Sequence, residues 1–365
     1  MSDLKQMTML QLIVVFISTM IGIGIILMPR DLAKAVDSPD LWISIIFGAV
    51  AVSFVICIYV TLAVRYPGLT FFEMSAVIMG KFIGWIFNFF FVLYSLIVAA
   101  YILRITAGII KNYLLDTTPL YAVVGAFLLV SMYLIYNGAG DIVRFFQLYF
   151  PIMMFMFLVL CLLSMKNLDI QNIRPVLQNN IGSTLSATTI TFFSFLGMEF
   201  LLIFAKLIKK KKAKHLLITM WASIGFTTLI YVAFHIISIG VLGVEELKEI
   251  TFPTIEMAKS IEFQGFFFER FELIFLFGWL TTAFTSFTAY TYASTLGLKN
   301  LFKPSKWFLL VAGVFIFTFT MLPKGLTEVF HYSTHIQVIS FTAIVVLPAL
   351  LLVVSTVRRN TYASS

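Results

Sequence analysis

The chain has 365 residues, of which 61% are hydrophobic and only 12% are charged, and its formal net charge is +8. Soluble domains are roughly 45–50% apolar and about 25% charged, so this composition excludes an ordinary soluble enzyme or binding domain. Apolar runs of about 20 residues, long enough to cross a bilayer as helices, recur from end to end. The sequence therefore predicts an all-α integral membrane protein with no soluble domain.

Ten apolar segments are predicted to cross the membrane, and together they form a single transmembrane domain over residues 1–365. In chain order, the spans cover residues 8–28, 41–64, 83–110, 119–136, 145–164, 187–207, 216–241, 270–297, 307–322 and 336–357. The spans divide into two repeats of five, at about residues 8–164 and 187–357. Because five is an odd number, two such repeats would run through the membrane in opposite directions.

The first and sixth spans carry the signs of an interrupted helix. The first reads STMIGIGIILMPR, with Gly22 and Gly24 ahead of a proline, and the sixth reads TFFSFLGMEF, with Gly197 in a Ser/Thr-rich stretch. Glycine alone can serve close packing against a neighbouring helix. Interrupted spans at matching positions of inverted repeats, however, indicate a ligand site near the bilayer midplane, where unwound backbone offers free N–H and C=O groups.

Glu199 and Arg104 are the ionisable residues that lie most clearly within predicted spans. A charge at the bilayer centre costs at least about 2.5–3.5 kcal/mol, so both are expected to face the bundle interior or water. One interpretation is structural, with Glu199 holding span 6 through backbone amides or Arg104; the other is a role in ligand binding or switching. Three charged residues at the outer start of span 8 are expected to cap that helix and pair with one another: Glu269, Arg270 and Glu272.

Two polar stripes could line a pocket or simply join helices by hydrogen bonds. In span 8, Thr282, Ser286 and Tyr290 recur every four residues and share one helical face. In span 3, a second stripe consists of Tyr94, Val98, Tyr101 and Ile105. Both stripes are therefore candidate walls of the site.

Basic residues predict the orientation of the chain. Placing both termini in the cytoplasm gives the inner loops most of the Lys and Arg residues and the outer loops most of the acids, Asp31 included. The run at residues 209–212 is most simply a cytoplasmic stop signal. Alternatively, Lys210, Lys211 and Lys212 contact anionic lipid or a partner protein and form part of a switch. The positive charge requires no nucleic-acid partner.

No catalytic constellation is present. None of the four histidines stands in a zinc-binding motif, and the chain has neither a phosphate loop nor a nucleophile elbow. The two cysteines lie in different spans. We therefore expect a protein that is not an enzyme and that holds no cofactor or metal.

Several segments distributed over the chain carry a family resemblance: TMIGIGIILMPR (19–30), IRPVL (173–177), SFLGMEF (194–200), FPTIEMAKSIEF (252–263), FERFELIFLFGW (268–279) and LPK (322–324). With them the sequence resembles the B subunits of the bacterial spore germinant receptors, a branch of the amino acid/polyamine/organocation transporter superfamily. The resemblance implies a leucine-transporter-like fold of about ten transmembrane helices, with a 5+5 inverted repeat and discontinuous helices 1 and 6.

The resemblance also implies a site and a function. The breaks of spans 1 and 6 would bind the ligand between walls from spans 3 and 8. The candidate ligand-binding residues are Thr19, Gly22, Ile23, Gly24, Tyr94, Val98, Phe195, Leu196, Gly197, Glu199, Thr282, Ser286 and Tyr290. The implied function is to sense a small nutrient, an amino acid, in the inner membrane of the spore and to signal to an A subunit with soluble domains and a C-subunit lipoprotein.

Two departures from the family pattern bear on this interpretation. Ile23 stands where the family usually has a small residue, which would narrow the pocket. Span 5 lacks the lysine that some proton-coupled transporters of the superfamily use, which favours a receptor. A secondary amino acid transporter is the alternative function, and a conduit for water or ions is a third.

Overall fold

A computed structural model of the chain describes residues 6–175, 181–208, 212–261, 271–302 and 305–358. Within these ranges the regular structure is entirely helical. The α-helices are α1 Met9–Met20, α2 Gly24–Val36, α3 Leu41–Arg65, α4 Phe71–Met79, α5 Lys81–Tyr113, α6 Leu120–Tyr136, α7 Ala139–Ser164, α8 Ile181–Ser186, α9 Thr188–Ser194, α10 Phe200–Ile203, α11 Ala213–Glu249, α12 Pro253–Lys259, α13 Phe271–Leu301, α14 Trp307–Met321, α15 Leu326–Phe341 and α16 Leu347–Val357.

Six helical segments in the described chain are long and apolar enough to cross a membrane: α3, α5, α7, α11, α13, and α15 continued by α16. The pair α1 and α2 forms a further candidate span that is bent by 50° at its break, while α6 and α14 are shorter apolar helices. The protein is therefore a multi-pass membrane protein. The count of ten spans and the 5+5 repeat remain predictions.

The helices extend beyond several predicted spans. Helix α2 continues to Val36, and the helix of the last span begins at Leu326, ten residues before the predicted start at 336. The reason is physical, because hydropathy marks only the part of a helix that lies in hydrocarbon, whereas backbone hydrogen bonding continues into the interface. The assignment of Asp31 to an outer loop is wrong for this reason, since Asp31 lies inside α2.

The interruptions predicted in spans 1 and 6 are confirmed. Helix α1 ends at Met20 and α2 begins at Gly24, so the backbone of residues 21–23 is outside regular helix. In span 6, α9 ends at Ser194 and α10 begins only at Phe200. Both breaks lie against the two most buried spanning helices, α5 and α13, which pack on each other at the centre of the bundle.

The outward faces of the helices carry large apolar side chains that remain exposed, as expected of a surface that faces lipid rather than water. Examples from five different helices are Phe54, Leu129, Leu229, Phe277 and Val353. The bundle thus has an apolar exterior, while polar side chains such as Thr19, Ser194, Glu199 and Ser286 are buried at or beside the two breaks.

Candidate functional site

The break in span 1 is stabilised by hydrogen bonds from side chains of two other helices. Ending α1 at Met20 leaves carbonyl oxygens without helical N–H partners, and buried orphan carbonyls need donors from elsewhere. Helices α11 and α13 supply them. The donor–acceptor pairs are Ser286 Oγ to Thr19 O at 2.9 Å, Tyr231 Oη to Met20 O at 2.7 Å, and Trp279 Nε1 to Gly22 O at 2.9 Å.

Three backbone N–H groups at this break, next to the start of α2, have no hydrogen-bond acceptor in the described chain. Within the described chain, the amides of Gly22, Ile23 and Gly24 donate to no backbone or side-chain acceptor. They precede or begin α2, and the N-terminus of a helix carries the positive end of its dipole. Free amides at such a position can donate hydrogen bonds to an anionic group, so this break is a candidate anion site.

Glu199 is buried at the break of span 6, where its side chain is 1% exposed and accepts three hydrogen bonds. Tyr94 Oη and Tyr290 Oη each donate to Oε1 at 2.7 Å, and the Gly197 amide donates to Oε2 at 2.9 Å. These four residues, which we call the glutamate cluster, fasten the break to α5 and α13. Because protein donors occupy both carboxyl oxygens, Glu199 supports the break and leaves little capacity for a ligand.

Gly197 brings the two breaks into contact. Its φ of +127° lies in a region that residues with a side chain rarely adopt. A Cβ atom at this position would lie 2.7 Å from Thr19 Oγ1 and 3.3 Å from Met20 Cγ, both at the end of α1. Glycine is therefore required twice, by the backbone conformation and by the close approach.

A small cavity lies between the breaks, with about 60 Å³ of space open to water-sized groups. We call it the central cavity. Eight of the predicted ligand-binding residues line it: Thr19, Gly22, Ile23, Gly24, Val98, Leu196, Ser286 and Tyr290. The sequence thus predicts much of one lining from four separate parts of the chain, in spans 1, 3, 6 and 8.

Five predicted residues lie outside this lining. Tyr94, Gly197 and Glu199 belong to the glutamate cluster. Phe195 packs on Tyr231 with ring centroids 5.5 Å apart. Thr282 Oγ1 donates to the Trp279 carbonyl, in the same helix, at 2.7 Å. Their positions are supporting ones, around the cavity rather than in its wall.

Other residues complete the lining: Tyr101, which belongs to the stripe predicted in span 3, and, among those not identified from the sequence, Asp31, Ser333 and Gln337. The spacing of Gly24 and Asp31 at i and i+7 places them on one face of α2, which is a signal that could have identified Asp31. Ser333 and Gln337 are likewise one turn apart on α15.

Arg104 does not contact Glu199, so the interpretation in which the two residues pair is wrong. Its Nη2 donates instead to the Pro323 carbonyl at 3.0 Å, in the segment that connects α14 and α15. The reason is their position in the bundle: Glu199 points to the centre, whereas Arg104 lies on a part of α5 that faces α14 and α15.

Of the remaining predicted switch residues, two lie within the described part of the chain. Lys212 is exposed and precedes α11, and Glu272 is buried in the first turn of α13. Four others lie outside the described residues: Lys210, Lys211, Glu269 and Arg270.

The end of span 6 that follows α10 is joined to α4 by an ion pair. Lys206 Nζ lies 2.6 Å from Glu73 Oε1, and Glu73 also caps α4 by accepting hydrogen bonds from the Thr70 amide and hydroxyl. The Met7 amide donates to the Leu207 carbonyl at 2.6 Å. These contacts connect the residues after α10 both with α4 and with the chain that precedes α1.

This ion pair leads to an expected dependence on pH. Burial raises the pKa of Glu73, but hydrogen bonds from Lys206 and Thr70 and the charge of Lys206 outweigh it, so the pKa lies below its usual value of 4.5. Such a carboxyl contributes stability above its unfolded-state pKa and loses it as pH falls through the folded-state pKa. Both side chains are partly exposed, so the contribution is below about 1 kcal/mol.

We expect the melting temperature of the detergent-purified protein to fall less between pH 7 and pH 3.5 in Glu73→Gln than in the parent. Glutamine keeps the cap of α4 but removes the charge. Lys206→Gln is the matched control, because it removes the pair and keeps the carboxyl. Identical pH profiles for the parent and both variants would show that the pair contributes nothing.

Comparison with solved structures defines the class of protein. The fold matches the crystal structure of MhsT in complex with L-phenylalanine with a TM-score of 0.73, covering 96% of this chain and 89% of that one. The sequences are only 13% identical, so the match shows a shared fold. The chain is a multi-pass membrane protein with the leucine-transporter-like fold.

Sequence comparison then gives the family: the chain belongs to the spore germination proteins. The profile of a family described as "Spore germination protein" matches residues 6–329. The chain is 33% identical over 350 residues to spore germination protein A2 of Bacillus subtilis, covering 94% of this chain and 93% of that one. It is 32% identical over 362 residues to spore germination protein YndE of the same organism, covering 98% and 99%. The predicted family is confirmed.

Proposed function

We propose that the protein senses a small amino acid as a subunit of a spore germinant receptor, binding it in the central cavity and signalling its presence to partner subunits. The observation that supports this most is the position of the cavity at the meeting point of two helix breaks, with the free amides of Gly22, Ile23 and Gly24 on one side. A ligand that binds one conformation more tightly shifts the protein towards it.

The ligand's carboxylate would lie at the N-terminus of α2, where free amides and the helix dipole stabilise negative charge. Its ammonium group would face the carbonyl oxygen of Leu196, a residue of the cavity lining, which accepts no hydrogen bond from the described chain. The apolar walls include Ile23 and Val98. The cavity holds only a few water-sized groups, which favours an amino acid with a small apolar side chain.

The size of the cavity can be tested with Val98→Ala. Removing two methyl groups from the wall is expected to improve binding of L-valine relative to L-alanine by about tenfold, as is typical of an added methylene in an apolar pocket. The measurement is equilibrium binding of the radiolabelled amino acids to purified protein. Val92→Ala is the matched control, because Val92 is equally buried in α5 but lies outside the cavity lining.

If neither glycine, L-alanine, L-valine nor L-phenylalanine binds or thermally stabilises the parent protein at millimolar concentration, the amino acid site is contradicted. If Val98→Ala and Val92→Ala change the preference equally, the ligand does not lie against Val98.

The same fold would support a secondary amino acid transporter, which is the alternative function. Counterflow of radiolabelled amino acid in proteoliposomes separates the two, because a receptor that binds without transport gives no accumulation. Our proposal also excludes catalysis, so ligand recovered after incubation should be chemically unchanged.

The proposal includes the topology and the partners. Both termini lie in the cytoplasm, ten spans form a 5+5 inverted repeat, and the protein lies in the inner membrane of the spore. Its partners are an A subunit and a C-subunit lipoprotein, with Lys210, Lys211 and Lys212 as a candidate contact for the A subunit or anionic lipid. Co-purification of the A subunit with a variant carrying glutamine at these three positions tests that contact.

A further inference from the structure

A second cavity, of about 250 Å³, lies between α5, α14 and α15. We call it the lateral cavity. Its wall is mainly aliphatic and aromatic, with Ile97, Phe319, Leu322, Ile336 and Ile339 among the lining residues. Tyr101 belongs to the linings of both the lateral and the central cavity and so forms a wall between them. Nothing in the proposed receptor function uses this space.

One buried cation lines the lateral cavity. The Arg104 side chain is 6% exposed, and its only hydrogen bond in the described chain is the one from Nη2 to the Pro323 carbonyl. The Nε atom is buried without a partner, and no carboxylate of the described residues lies within ion-pairing distance. The charge of Glu328 acts on Arg104 from beyond ion-pairing distance, so most of the guanidinium donors remain without an acceptor in the described chain. A buried charge with so few partners is costly, and the guanidinium is therefore poised for an anion.

The nearest acid on α15 is engaged elsewhere. Glu328 accepts a hydrogen bond from the Lys324 amide at 2.7 Å and a longer one, 3.4 Å, from the Tyr332 hydroxyl. These bonds hold Glu328 at the start of α15, where an acidic side chain also suits the helix N-terminus. Arg104 thus lines the lateral cavity, whereas Glu328 caps the start of α15.

We propose that the lateral cavity binds an amphipathic carboxylate, with the carboxylate on Arg104 and an apolar body along the aliphatic wall. A guanidinium presents its donors in a planar fork that matches a carboxylate. The cavity is smaller than the roughly 300–1,000 Å³ typical of drug-sized ligands, which suits a single hydrocarbon chain of medium length. Two-chain phospholipids are too large for it.

Such a ligand would lie against Tyr101, the residue that also lines the central cavity. Its binding would therefore restrict the motion of a wall that the two cavities share. The existence of the site does not depend on the proposed amino acid sensing, since it rests on Arg104 and the lateral cavity alone.

The test uses the full chain in lipid nanodiscs and a photoactivatable octanoic acid that carries a diazirine at its far end. We expect light to attach it to α5, α14 or α15, and unlabelled octanoate to compete. The matched octanol probe has the same body without the carboxylate. Arg104→Gln is expected to reduce labelling by the acid at least about tenfold and to leave labelling by the alcohol little changed.

Ala100→Leu keeps Arg104 but fills part of the lateral cavity, since Ala100 is buried in its wall. It is expected to reduce labelling by both probes, and it provides the test if Arg104→Gln does not fold. Labelling that is equal in the parent, Arg104→Gln and Ala100→Leu, or that maps only to other surfaces, overturns the proposal.

The source of the ligand is decided by a second measurement. Free fatty acid extracted from the purified parent, and absent from Ala100→Leu, would show that the membrane supplies it. Competed labelling by the acid probe without extracted fatty acid would show that a soluble carboxylate is the ligand. No extracted fatty acid together with no competed labelling contradicts the site.

Discussion

Replacing Glu199 by alanine is expected to abolish the germination response and to destabilise the protein by about 3 kcal/mol or more. The substitution leaves three buried donors, the hydroxyls of Tyr94 and Tyr290 and the Gly197 amide, without their acceptor. Each stranded donor costs about 1–3 kcal/mol. The break of span 6 would then lose its attachment to α5 and α13.

Glu199→Gln separates this structural role from a role for the charge. Its amide oxygen can accept from Gly197, and the tyrosine hydroxyls can reorient to accept from its NH₂ group. We therefore expect a smaller loss than in the alanine variant, measured as the melting temperature of purified protein and as germination of spores carrying the variant. Equal losses in both variants would instead assign the effect to the charge. Glu246→Ala, on the exposed end of α11, is the control for removing a glutamate.

Gly197→Ala is expected to have the second largest effect. The φ of +127° costs a residue with a side chain about 1–3 kcal/mol in strain alone. The new methyl group would also lie 2.7 Å from Thr19 Oγ1, whose hydroxyl donates to carbonyls of its own helix. The two breaks would have to separate, so we expect both lower stability and loss of ligand binding.

Gly225→Ala is the matched control for this substitution. Gly225 lies on an exposed face of α11, and a Cβ atom there would meet nothing within 4 Å. Alanine at an exposed helical position is expected to raise stability by up to about 1 kcal/mol. If Gly197→Ala melts and binds amino acids like Gly225→Ala, the two breaks do not need the close contact that we describe.

The helices and their breaks could be predicted because their causes are local. Long apolar runs must be helical in hydrocarbon, where every backbone group needs a partner. Gly22, Gly24 and Gly197 marked the two breaks for the same kind of reason, since they loosen a helix or adopt conformations that other residues avoid. Helix ends such as Val36 could not be predicted from hydropathy, because hydrogen bonding there does not depend on apolar residues.

The contacts around the breaks were harder to predict from the sequence. Sequence spacing gives the face of a helix, but it does not give the helix opposite, so Arg104 and Glu199 could be assigned as partners although they lie in different parts of the bundle. Asp31 and Gln337 line the central cavity from helices whose extent or rotation was unknown. Tyr231 was also missed, because a hydroxyl that bridges the Met20 and Ser194 carbonyls depends on how three segments meet.

The glutamate cluster and the cavity lining are different sets of residues, apart from Tyr290. Ile23, Val98 and Leu196 determine the shape of the central cavity, and none of them contributes a side chain to the bonds that hold Glu199. Substitutions at these three positions can therefore accumulate during evolution without disturbing the support of span 6. If the central cavity binds a nutrient as we propose, such a chain can acquire a preference for a new nutrient by single steps, each of which leaves a folded protein.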